Sequence, residues 1–150
     1  MVKLFIFLIM IFTYTNASAK LTYKDSINLV HSIQSYGIEY GEGKQNVYVF
    51  VDPLCPYSRK FISMISSKPK MLEKYKYTIY LYEIPRLHST DTIASIYNAK
   101  EPINLLLEVM LKDKKTLIEP TKKTETTVNA ITNVAQKLHI KKRPFIIVEK

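Results

Sequence analysis

Between residues 45 and 84 the chain changes its hydrophobic rhythm twice. Val47-Tyr48-Val49-Phe50-Val51 is an unbroken β-branched and aromatic run, the pattern of a strand buried on both faces. From Cys55 onward the apolar positions Phe61, Ile62 and Ile65 fall on one side of a helix that stops before Pro69, and Pro56 suits a first helical turn because its missing N–H is not needed there. Met71 to Tyr75 adds a further turn. Tyr77 to Ile84 then returns to a strand pattern, bounded by Pro85. Strand, helix and strand over this length form a βαβ unit with a right-handed crossover.

The flanking segments extend the same architecture. Ile27, Val30 and Ile33 predict a helix over Ser26–Ser35, capped by Asp25 and ended by Gly37. Gly37 to Tyr40 is extended, Gly41-Glu42-Gly43-Lys44 is a turn, and the pieces on either side of that turn could pair as a hairpin. Thr90 or Asp91 caps a helix through Ile93, Ile96 and Tyr97. Pro102 opens another, with Ile103, Leu106, Leu107, Met110 and Leu111 on its apolar face. Lys112 to Thr124 is polar and reads as a loop. Val128, Ile131, Val134, Ala135 and Leu138 predict a helix over Thr127–Leu138, and Phe145 to Val148 is a last strand. The order of elements implies an α/β layered fold.

Composition and the N-terminus narrow the setting. Lys3, the apolar run Leu4–Tyr14 and Ala17-Ser18-Ala19 are the charged, hydrophobic and small-residue regions of a secretory signal peptide, with cleavage expected after Ala19. The run is shorter than the roughly 20 apolar residues of a membrane span; an uncleaved anchor is the alternative. Segments of 1–19 (signal peptide), 20–46 (helix and hairpin) and 47–150 (one α/β domain) follow. The net charge of +9 comes from scattered lysines with no stripe of stacking aromatics, which describes a solvated basic surface, so nucleic acid is not an expected partner. His31, His88 and His139 have no metal spacing with the cysteine, and no cofactor is expected.

Cys55 is the one cysteine. In an oxidising compartment a lone cysteine is either buried and inert or available for intermolecular exchange. Its place decides the emphasis: a thiol at a strand-to-helix junction meets the free N–H groups and dipole of a helix N-terminus, which favour thiolate. Three positions on, where a second cysteine would complete Cys-x-x-Cys, stands Ser58, with Pro56 and Tyr57 between. Asp52 could tune the sulfur or take a proton, or simply form an Asp-Pro turn with Pro53.

Four segments together resemble the thioredoxin-fold catalytic domain of the DsbC/DsbG periplasmic disulfide isomerases. They are Val47–Asp52 with Cys55-Pro56-Tyr57-Ser58, Tyr80–Ile84 with Pro85-Arg86, Ile96-Tyr97-Asn98-Ala99-Lys100 with the helix after it, and Ala135–Val148. The resemblance covers about Ile38 to Val148 and implies a thioredoxin-like fold with a helical insertion. It implies Cys55 as nucleophile, Ser58 at the resolving position, and Arg143-Pro144 as a cis-proline loop that docks a substrate strand. An exported thiol:disulfide interchange protein of the periplasm is expected. Its partners would be cysteine-containing exported proteins and a membrane-bound thiol reductase.

The departures from that pattern shape the chemistry. Without a second sulfur, Cys55 can form a mixed disulfide but cannot store one. Arg143 stands where the family usually has threonine or another small residue; a guanidinium beside the sulfur would favour thiolate further, unless the side chain is exposed and points away. The strand and helix that follow the last core strand in the family have no counterpart after Lys150, so the last strand is expected at a sheet edge, where a second copy could pair. Two other functions remain open: a redox-inactive binding or chaperone-like module, and a glutaredoxin-like monothiol protein.

Overall fold

A computed structural model describes residues 21–150; the expected signal peptide and its cleavage site lie outside the described residues. The elements are α1 (Tyr23–His31), β1 (Ile38–Tyr40), β2 (Gln45–Val51), α2 (Pro56–Ser66), α3 (Pro69–Lys74), β3 (Tyr75–Leu81), α4 (Thr90–Asn98), α5 (Pro102–Lys112), α6 (Lys122–Lys137) and β4 (Phe145–Val148), with 3-10 turns at Gln34–Tyr36 and Pro85–Leu87. The four strands form one sheet in the order β1-β3-β2-β4. β2 and β3 run parallel, with Val47 opposite Tyr77 and Val51 opposite Leu81; β1 and β4 are antiparallel to their neighbours.

Helices cover both faces, which is why β2 reads as a continuous apolar run. On one face Val47, Val49, Val51, Ile79 and Leu81 pack against Ile62 and Ile65 of α2, Ile93 and Ile96 of α4, and Leu106 and Val109 of α5. On the other, Tyr48, Phe50, Tyr80 and Ile147 pack against Ile27 and Val30 of α1 and Ile131, Val134 and Ala135 of α6. The residues before Val47 thus contribute a helix and a strand to the same layered unit. No helix among the described residues is long and apolar enough to cross a membrane.

The expected hairpin between the pieces flanking Gly41–Lys44 does not form, because β3 lies between them: β1 pairs with β3, as Ile38 opposite Ile79, and never meets β2. The turn bonds outward instead of closing on itself. Glu42 N–H donates to Leu72 O and Gly43 N–H to Tyr75 O, which ties the turn to the α3–β3 junction. A Cβ on Gly43 would overlap the Lys74 carbonyl carbon and the Tyr75 nitrogen, so glycine is required by close backbone approach.

Other boundaries move for local reasons. α1 starts earlier than the apolar spacing predicts because Thr22 is its cap. The Thr22 hydroxyl accepts from Asp25 N–H and the Asp25 carboxylate accepts from Thr22 N–H, a reciprocal capping box that moves Asp25 from the cap to the third helical position. Those bonds hold the Asp25 carboxyl below its usual range. α6 likewise begins at Lys122, on a Thr121 cap; its first turn is polar outside and buries Thr124, so it carries no apolar periodicity. β3 begins two residues before its predicted start because Tyr75 and Lys76 pair with Gln45 and Asn46.

The two ends of the described chain are bonded together. The Glu149 carboxylate accepts from Asn46 Nδ2 (2.9 Å) and the Tyr48 hydroxyl (2.9 Å) and lies 3.1 Å from His31 Nε2. The Tyr23 hydroxyl donates to Val148 O and accepts from Lys150 N–H.

Two outcomes test this description. Gly43→Ala should cost about 1–3 kcal/mol of unfolding free energy, the range for a forced backbone shift, read as a lower urea midpoint at unchanged slope. The Asn46 hydrogen bond, followed by those of Tyr48 and His31, holds the Glu149 carboxyl below its usual value. Its contribution to stability is therefore present above the ordinary glutamate pKa of about 4.3 and is lost as pH falls through the lower folded value. Glu149→Gln should lower the melting temperature at neutral pH, and the gap to the parent should shrink below about pH 4.

Candidate functional site

β2 ends at Val51, and the next four residues carry the chain to the N-terminus of α2. Cys55 is the N-cap residue, in extended conformation, and its side chain makes no capping bond. Its N–H donates to Asp52 O (3.0 Å), and its carbonyl accepts the first helical bond from Arg59 N–H (2.9 Å). The residue is only 3 % exposed. The Sγ atom lies 3.8 Å from the carbonyl oxygen of Arg143, toward which the thiol donates. Pro56 occupies the first helical turn. Tyr57 is 73 % exposed beside the sulfur-bearing turn, whereas Ser58 is fully buried and its hydroxyl accepts from Asp52 N–H at 3.3 Å. Ser58 thus fills the second position of the motif as a hydrogen-bonded spacer.

Asp52 belongs to the site in a way the sequence left open. Its side chain is fully buried. Oδ1 accepts from Leu54 N–H (2.8 Å), the local turn expected of Asp before Pro. Oδ2 accepts from Ile84 N–H and from the Ser89 hydroxyl (2.9 Å), so one carboxyl ties the cysteine loop to the segment leaving β3 and to the start of α4. Ser89 precedes α4 but makes no side-chain cap bond to it, because its hydroxyl is committed to Asp52. No periodicity marks a long-range pairing of this kind.

Arg143 does not take the exposed position weighed for it. It is 8 % exposed, so the exposed alternative does not hold. Nε donates to Tyr82 O (3.2 Å) and Nη2 to Glu83 O (2.7 Å), and Cζ lies 3.8 Å from the centre of the Tyr82 ring. The side chain's hydrogen bonds thus go to backbone carbonyls, while the backbone carbonyl of the same residue faces Sγ. The Arg143–Pro144 peptide is cis. β3 ends at Leu81, short of the predicted Ile84, for the same reason: Tyr82 N–H makes one last bond to Val51 O, after which the carbonyls of 82 and 83 go to Arg143 and the N–H of 84 to Asp52.

Arg59 braces the other side of the loop. Nε donates to Pro53 O (2.8 Å) and Nη1 pairs with Asp113 at the end of α5; Asp113 is held below the usual carboxylate range by that bond. Among the described residues no three His, Cys, Asp or Glu side chains gather as a metal site would require.

The sheet order, the crossover through α2 and the placement of Cys55 and Pro144 on adjacent loops define a thioredoxin-like α/β fold with helices inserted between β3 and β4. No protein-family model matches the chain, and no curated protein sequence does. Solved structures do. The catalytic domain of ScsC from Proteus mirabilis superposes with a TM-score of 0.65 at 14 % identity, covering 85 % of this chain and 86 % of that one. A disulfide interchange protein from Neisseria gonorrhoeae gives 0.59 at 16 % identity, over 76 % and 80 %. DsbG from Helicobacter pylori gives 0.60 at 17 % identity, over 84 % of this chain and 63 % of that one. At these identities the likeness is one of fold, and the chemistry has to be argued from the side chains.

Ser58→Cys places a thiol in the buried position one helical turn after Cys55. Mild oxidation of that variant should remove both free thiols within one chain, read by alkylation and intact mass; two thiols that both stay alkylatable would mean that Ser58 is not at the resolving position.

Proposed function

We propose that the protein is an exported thiol:disulfide interchange protein that works through one nucleophilic cysteine. The observation that carries this reading is the meeting of Cys55 Sγ, at the N-terminus of α2, with the backbone of the Arg143–Pro144 loop. Cys55 loses its proton to solvent, and the thiolate attacks one sulfur of a substrate disulfide. The substrate S–S bond breaks, a Cys55–substrate disulfide forms, and the second substrate sulfur leaves as thiolate. With Ser58 in place of a second thiol, Cys55 is released only when a thiolate from the same substrate or from a reducing partner attacks the mixed disulfide. Return by the same substrate rearranges its disulfides with no net change in oxidation state; return by a partner reduces it.

Pro144 and the backbone beside it receive the substrate strand, and exposed Tyr57 borders the approach. The partners of this reading are exported proteins carrying cysteines and a membrane-bound thiol reductase. A second copy joined along the edge of β4 that has no strand neighbour among the described residues belongs to it as well. The periplasmic setting rests on the N-terminal sequence.

A second reading, a binding or chaperone-like module without turnover, is favoured by the 3 % exposure of Cys55. One experiment separates the two. Cells expressing the protein or Cys55→Ala are quenched in acid, alkylated and run on non-reducing gels. Reducible adducts present only with Cys55 are the expected result. A stable, exported protein with a fully reduced Cys55 and no adducts would overturn exchange in favour of binding.

A further inference from the structure

The sulfur is buried beside the loop that carries Arg143, whose guanidinium is committed to the carbonyls of Tyr82 and Glu83, and that arrangement assigns the side chain a task. We propose that Arg143 is a positioning residue for Cys55, holding its own carbonyl against the sulfur by clamping the chain that leaves β3. The clamp has three parts: Nε on Tyr82 O at 3.2 Å, Nη2 on Glu83 O at 2.7 Å, and the guanidinium face on the Tyr82 ring at 3.8 Å. Two successive carbonyls and a flat ring suit a planar fork with fixed donors, and a lysine ammonium would reach at most part of this set. On its other side residue 143 is followed, after Pro144, by Phe145, which pairs with Phe50 in the sheet. Pinned at both ends, the 143 carbonyl keeps its place at Sγ.

The clamp closes a ring of contacts. From Sγ it runs to Arg143 O, through the guanidinium to Tyr82 and Glu83, along the backbone to Ile84 N–H, and through the Asp52 carboxyl back to the loop that carries Cys55. Arg143 is the member of the ring that joins the proline loop to the rest. Without its donors two part-buried carbonyls lose these partners and the loop can swing from the sulfur.

The inference rests on Cys55 being the reacting group. Its test uses a small neutral alkylating agent, so it can fail while exchange with protein disulfides stands, and the reverse. The rate of Cys55 modification by iodoacetamide is measured against pH for the parent, Arg143→Lys, Arg143→Met and Tyr82→Leu. A positioning role predicts that the high-pH plateau, where the thiol is fully ionised, rises about tenfold in Arg143→Met, as expected for losing two hydrogen bonds that hold a closed form. It also predicts that Arg143→Lys rises nearly as far and that Tyr82→Leu moves the same way by less. A role through charge alone predicts the opposite split: Lys restores the parent profile, and Met shifts its midpoint and leaves its plateau. That result overturns the proposal, as do unchanged plateaus in all variants. A plateau that rises only in step with the urea-unfolded fraction overturns it too. If Arg143→Met does not fold, the Lys and Leu variants still decide.

Discussion

A carboxyl group shut away from water must be answered by protein donors, because leaving its oxygens unpaired costs several kcal/mol. Asp52 is in that position, and its donors come from three parts of the chain: the loop before α2, the residues leaving β3 and the start of α4. Satisfying this one group fixes the cysteine loop in space. Asp52 directly follows β2, whose last five residues are buried on both faces, so the anchor itself has little freedom. The order of dependence runs from the packed central strand to the carboxyl, and from the carboxyl to the turn that presents Cys55.

The proline loop reaches the same place from the opposite end of the chain. It arrives after α6 and enters β4, which pairs with β2 as Phe145 opposite Phe50. Cysteine loop and proline loop are therefore attached to the same central strand, and the segment Tyr82–Ile84 lies between them, taken by Arg143 on its carbonyls and by Asp52 on its N–H. Because the backbone of this segment is divided between two side chains, it cannot continue as a strand. The premature end of β3 and the tying of the two loops to this segment have one cause. With Ser58 buried and bonded to Asp52 N–H, the position that would hold a second sulfur also serves the loop's geometry. In the function proposed above, release from Cys55 would then depend on an outside thiol.

What could be read in the sequence followed from burial. Strands β2 and β4, the helices α2, α4 and α5, and the crossover between β2 and β3 all carry apolar patterns that report which face is covered, and each stands within a few residues of its predicted place. Cys55 stood out by its place between an apolar strand pattern and a helix pattern, whereas Pro144 and its association with Cys55 were reached through the family resemblance. The misreadings share a different origin. The hairpin failed because β3 inserts between two pieces close in sequence, a long-range choice with no local mark. The starts of α1 and α6 were missed because hydroxyl caps at Thr22 and Thr121 precede turns with no apolar face. The roles of Ser89, Tyr82 and the Arg143 side chain depend on contacts between residues tens of positions apart, and the sequence shows only that such residues are present.

The far edge of β4 shows how the remaining exposed backbone is managed. Among the described residues β4 has one strand neighbour, and Ile146 and Val148, both more than a third exposed, stand on its outward-facing positions. In an antiparallel pair, alternate residues turn their N–H and C=O groups away from the partner. With Glu149 N–H bonded to Asn46 O, those residues are Ile146 and Val148. An apolar edge whose backbone groups have no strand partner among the described residues invites another strand. Two features limit it here. The strand is four residues long and begins directly after Pro144, and the Tyr23 hydroxyl sits on Val148 O while accepting from Lys150 N–H. Helix α1 therefore does more than cover a face of the sheet: its first residue closes one end of the edge, and a strand joining β4 would meet free backbone at Ile146 but would have to displace Tyr23 to extend past Val148.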